Sequence, residues 1–228
     1  MLELSGTGLT EAKEWVSISK DVVLALCGMV GAGCAVFGAR IAKKGLGTWQ
    51  RQMSGQAYFE LTKRILVGIY KLRTAVYLVR HPAIYPSEMP FPSEDERKTM
   101  DQSFIHFYGF SGAYAKRWDK VIEAENQLEV DLLEAEAIWG PELKDHFNTI
   151  RGLIFELNAV VRYTVELDNP RIPEEKRQML QQLRRQKREI LYDLQPNGGI
   201  SDADVFKHDF EAAVVTIETY LRSKIAKH

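Results

Sequence analysis

The sequence predicts an all-α protein: one N-terminal transmembrane helix, then an antiparallel four-helix bundle with an extra basic helix. Three observations carry that reading. Val22–Ala39, VVLALCGMVGAGCAVFGA, holds no charged residue, and Arg40, Lys43 and Lys44 follow it at once. Beyond it, apolar residues recur three and four apart, the period of a helix with one buried face. Proline- and glycine-rich breaks at Pro82–Pro92, Gly140-Pro141, Asn169–Pro173 and Gln195–Ile200 divide that pattern into segments.

The apolar run comes first. At ~1.5 Å per residue it is about 27 Å long, close to the ~30 Å hydrocarbon layer. Ile41 and Ala42 extend it and Arg40 can snorkel, so the expected span is 22–42, preceded by a short extracytoplasmic tail and helix start at 1–21. Thr10 is the expected cap of that helix, and Trp15 and Trp49 are candidate interfacial anchors. A cleaved signal peptide wants a basic start, whereas Lys13 and Lys20 face Glu3, Glu11, Glu14 and Asp21. Lipoprotein processing at Cys34 wants a large aliphatic residue where Gly31 stands. A buried core helix of a soluble protein is the remaining alternative, and the charged flanks oppose it. Small residues gather on one face of the run. Gly28, Gly31, Ala32, Ala35 and Ala39 are the candidate self-association residues, since small side chains let helices approach closely in lipid.

The net charge of −1 hides segregation. Arg40 to Arg80 holds nine basic residues against Glu60 alone; Asp119 to Asp145 holds nine acidic residues against Lys120 and Lys144. Basic residues just past the span place the C-terminal domain, 46–228, in the cytoplasm and the N-terminus outside. Both cysteines, Cys27 and Cys34, lie in the span, which leaves no disulfide framework and no zinc pair in the remainder.

Gly45-Leu46-Gly47 predicts a bend, then a helix over 48–80 with the seam Tyr58, Leu61, Ile65, Gly68, Leu72, Ala75, Val79. His81-Pro82 ends it. Ser93 with Glu96 reads as a capping box opening one continuous helix over 93–139, bent at most at Gly109 and Gly112. A helix over 141–168 follows, with Leu143, Phe147, Ile150, Ile154, Leu157, Val161 and Thr164 inward. A basic helix over 174–194 carries a thinner stripe of Leu180, Leu183, Ile190 and Leu194, and Ser201 caps a last helix over 201–225. The basic 48–80 helix is expected beside the acidic end of 93–139.

No catalytic or metal pattern emerges. Glu142 and His146 are four apart, where a di-iron bundle wants Glu-x-x-His. Phosphate loops, nucleophile elbows and Cys/His pairings are missing, so no enzyme, cofactor or metal is expected. The pI near 6.5 argues against nucleic acid as a partner. Glu125 is a carboxylate on a seam, a position that often serves register or partner contact. Phe104, Phe107, Tyr108, Phe110, Tyr114 and Trp118 form a dense aromatic cluster, read as core packing with a ligand pocket as the alternative.

The runs WQRQMSGQAYFELTKRILVGIYKLRTAVYLVRHP and KRWDKVIEAENQLEVDLLEAEAIWG resemble sequences in a group of uncharacterised bacterial proteins with one N-terminal membrane span and a helical cytoplasmic part. The resemblance implies a bacterial inner-membrane setting and supplies no site residue. The expected function is a membrane-tethered interaction or assembly module. Its partners would be membrane lipids, a second copy through the span, and an unidentified cytoplasmic protein. Leu180, Leu183, Arg184 and Arg188 form the candidate partner surface, on a helix expected to be separable from the bundle. The alternative is a membrane-bound sensor that binds a small molecule or lipid among the aromatics.

Overall fold

A computed structural model describes residues 7–186, 188–193 and 204–225. Among them the chain is all-α: α1 Thr7–Arg80, α2 Glu94–Arg97, α3 Gln102–Trp139, α4 Glu142–Leu167, α5 Glu174–Arg185 and α6 Val205–Ile225. The expected tail before Thr7, Leu194, the turn at 195–200 and the Ser201 cap lie outside the described residues. The chain divides into two compact units after Gln56, and α1 contributes to both.

The bend expected at Gly45-Leu46-Gly47 is not there; α1 is helical throughout. Glycine costs a helix interior only about 1 kcal/mol, and good helix formers flank this pair. Thr48 Oγ1 also donates to the Lys44 carbonyl at 3.1 Å, tying the turn across both glycines. In the first unit, residues 19–46 are all exposed. The helix is long and apolar enough here to cross a membrane.

The second unit is a helical bundle. Leu61, Ile65, Leu72 and Val79 of α1 join Val121, Leu128 and Leu132 of α3, Phe147, Ile150 and Leu157 of α4, and Phe206, Phe210 and Ile217 of α6 in one core. Side-chain pairs give the directions. Arg64 bonds Asp131 and Glu134 while Lys71 reaches Gln127, so α1 and α3 run oppositely. Tyr70 bonds Glu218 and Tyr77 bonds Glu211, which sets α1 against α6 in the same sense. Glu129 with Arg151 and Glu136 with Lys144 do so for α3 and α4. Arg64 thus joins the basic helix to the acidic one as the charge pattern predicts.

The continuous helix expected over 93–139 is two. Ser93 forms its capping box: Glu96 N–H donates to Ser93 Oγ at 3.4 Å, and Ser93 N–H to Glu96 Oε2 at 2.8 Å. That helix lasts one turn. Asp101 then caps α3, its Oδ1 accepting from Phe104 N–H at 2.7 Å. The seam spacing hid the break, because the apolar pattern resumes at Phe104 in the same phase. α3 is continuous through Gly109 and Gly112. They make room for the proline loop: a Cβ on Gly112 would sit 2.2 Å from Pro90 Cγ, and one on Gly109 3.3 Å from Met89 Cβ. Gly140 ends α3 at φ 86°, a left-handed conformation suited to glycine.

α5 ends at Arg185, well before the expected 194. Residues 188–193 leave the helix and enter the bundle, with Ile190 and Leu191 fully buried. The basic segment is therefore not separable as a whole: removing it would take two side chains out of the core. α5 packs on α4.

Candidate functional site

Two buried arginines fasten the chain where α1 ends. Arg80, the last residue of α1, donates from Nε to the Ile190 carbonyl at 2.6 Å and from Nη2 to Asp204 and to the Tyr192 carbonyl. Its guanidinium stacks 4.7 Å above the Phe206 ring. Beside it Lys207 Nζ bonds both oxygens of Asp193 at 3.2 Å, and Asp193 N–H donates to the Arg80 carbonyl at 2.9 Å. Arg117 of α3 bonds Glu88 through Nε at 2.5 Å and through Nη2 at 2.9 Å; it also donates to the His81 and Ala83 carbonyls. This bond holds the Glu88 carboxyl below its ordinary range. The sequence shows Arg80 only as one of nine basic residues between 40 and 80, and no motif in it singles out Arg117. Arg117 lies three residues after Tyr114 and four before Val121, a seam position, and that spacing was the available signal.

The aromatic cluster is both core and groove. Tyr114 is buried and its hydroxyl pKa is pushed up to about 12 by burial; Phe110 packs edge-on against it at 5.0 Å. Phe107, Tyr114 and Trp118 also line an open groove of about 530 Å³ between α3 and α4. Asn158, Val161 and Arg162 form its opposite wall. Phe104 instead lies under Arg171, whose guanidinium is 3.9 Å from the ring centroid. Glu125 is half-buried, and burial raises its pKa.

The candidate partner surface divides. Leu180 is buried and Leu183 half-buried. Arg188 lies beyond the end of α5 and is held by Glu156 at 2.8 and 3.1 Å and by Asp209 at 2.6 Å, which raises its pKa. It is a clasp between α4 and α6. Arg184 stays half-exposed, 3.8 Å from Glu189. In the first unit Gly28, Gly31, Ala32, Ala35 and Ala39 are exposed, and nothing lies within 4 Å of a Cβ placed on either glycine. Cys27 and Cys34 are free and exposed.

Glu142 lies 3.7 Å from Lys224, and the His146 ring meets Tyr220 edge-on at 5.3 Å. His106 and His208 lie 3.8 Å from Asp168 and Asp209. These histidines do not converge, and no group of three or more His, Cys, Asp or Glu suited to a metal occurs among the described residues. No family model, curated protein or solved structure matches the chain.

Proposed function

We propose that the protein is a membrane-tethered interaction module of a bacterial inner membrane. In this reading α1 spans the bilayer at 22–42 with the N-terminus outside, and an antiparallel four-helix bundle of α1, α3, α4 and α6 sits in the cytoplasm. One observation carries it. Val22, Leu24, Met29, Val30, Val36 and Phe37 are all more than half exposed, and nothing among the described residues covers them. So much continuous apolar surface is costly in water and favourable in lipid. The basic residues Arg40, Lys43 and Lys44 set the orientation. Reporter fusions at Ser223 should be active in the cytoplasm and fusions at Ser5 inactive. The opposite pattern, or full solubility of the chain without detergent, overturns the reading.

The groove of Phe107, Tyr114 and Trp118 supports a second reading, a sensor for an apolar small molecule. Its Arg162 is exposed, with no ion pair or hydrogen bond among the described residues, and is free to orient an acidic group on such a ligand.

A further inference from the structure

Most clustered cations of the bundle are matched by carboxylates. Lys176 bonds Glu166, Arg64 bonds Asp131 and Glu134, and Arg188 bonds Glu156 and Asp209. One groove is lined by more cations than carboxylates. Arg177, Gln181, Arg184 and Arg185 of α5, with Leu167 of α4 and Glu189, line an open cavity of about 430 Å³. Helical spacing brings these four α5 side chains within about 100° of one another. Buried Leu180, on the adjoining face, fixes the roll of the helix that turns them to the groove.

Two of the three guanidiniums meet a carboxylate only at long range and the third meets none among the described residues. Arg177 donates to the carbonyls of Leu167 and Asn169 at 3.0 and 3.2 Å. Those acceptors orient it without neutralising it, and its nearest carboxylate is exposed Glu174 at 3.7 Å. Arg184 faces Glu189 at 3.8 Å, beyond hydrogen-bond reach. Arg185 has no ion pair or hydrogen bond among the described residues. Glu189 is the one acid in the lining, so the cavity carries a surplus of two positive charges.

We infer that this groove binds the phosphate group of a phosphomonoester. Guanidinium forks match phosphate oxygens in geometry, and three of them with a carboxamide offer more donors than one carboxylate can accept. A tetrahedral dianion supplies the oxygens and balances the surplus charge. The cavity exceeds a bare phosphate ion, which leaves room for the esterified group. Soluble metabolites and the phosphatidic acid headgroup share this chemistry. The inference sharpens the proposed partner surface on α5, but it rests on the bundle alone and holds whether or not α1 crosses a membrane.

The test is a calorimetric titration of the full-length chain in phosphatidylcholine nanodiscs with glycerol 3-phosphate at low salt. If the chain proves soluble, the same titration runs in buffer. Saturable one-site binding with Kd below about 1 mM is expected. Sulfate should compete, and chloride at equal ionic strength should not. Arg184→Gln with Arg185→Gln should weaken binding at least about tenfold. Arg162→Gln, in the neighbouring groove, should leave it unchanged. Should the double variant melt early, Arg185→Gln alone, which breaks no contact, should still weaken binding about threefold. In nanodiscs containing phosphatidic acid, a weaker apparent affinity identifies the headgroup as occupant, and an unchanged one identifies the soluble ester. No saturation by about 10 mM, variants that bind like the parent, or an equal loss from Arg162→Gln overturns the site.

Discussion

The Arg80 guanidinium donates from Nη2 to both carboxylate oxygens of Asp204, at 2.8 and 2.9 Å, with both side chains shut off from solvent. Desolvating the two charges offsets much of their attraction, so the pair adds little net stability over an apolar one of similar volume. Breaking it is another matter. Asp204→Asn keeps a capping side chain at the start of α6 but strands a buried cation, and should destabilise the bundle by about 3–5 kcal/mol. Arg80→Met together with Asp204→Leu should cost much less. Urea melts of the single and double variants measure the coupling, and additive losses would contradict it.

Glu125 gives a pH signature. It is half-buried, and burial raises its carboxyl pKa, with Arg151 opposing and Glu129 adding to the shift. A carboxyl raised in the folded state binds its proton more tightly there than in the unfolded chain. Its contribution is therefore fully present below the ordinary carboxyl range, about pH 4.3, and is lost as pH rises through the raised value. Glu125→Gln should raise the melting temperature at pH 7, and the gain should vanish near pH 4. A gain independent of pH would assign the effect to packing instead.

Gly112 should tolerate no side chain. A Cβ there meets the Pro90 ring at 2.2 and 2.6 Å, and a ring cannot swing aside as a leucine tip can. Gly112→Ala should destabilise by about 1–3 kcal/mol although alanine favours helix. Gly68→Ala, which meets the flexible end of Leu128 at 2.8 Å, should cost less. Equal losses in thermal melts would show that the proline loop yields.

The small-residue face of α1 predicts a lateral contact between copies. Gly31→Ile with Ala35→Ile should weaken self-association in a membrane two-hybrid assay, because bulky side chains hold the backbones apart. Val30→Leu with Phe37→Leu, on the opposite face, should change little. Equal effects at both faces would remove the case for this interface.

The sequence disclosed what repeats locally. Leu143 to Thr164 lie inward as their spacing predicts, and the Ser93 capping box and the Gly140 stop are where their residue types place them. What it concealed depends on distant partners. The gap at 98–101 interrupts backbone helix without shifting the apolar phase. Arg188 was read as a partner-facing cation, yet Glu156 and Asp209, 32 and 21 residues away, claim it. Phe107, Tyr114 and Trp118 were legible as a cluster; the wall of Asn158 and Arg162 that makes it a groove belongs to another helix. The reason for a glycine at 112 stayed hidden because its neighbour Pro90 lies 22 residues away in the sequence.

The Arg80 contacts also set an order of assembly. The ribosome makes Arg80 more than a hundred residues before Ile190, Tyr192 and Asp204, the groups that receive its donors. Until they emerge, the end of α1 holds a cation that water alone can satisfy, and the core around Phe206 stays open. A chain stopped short of α6 thus presents an uncapped charge beside unfilled apolar surface, and exposed surface of that kind makes incompletely folded chains prone to aggregate.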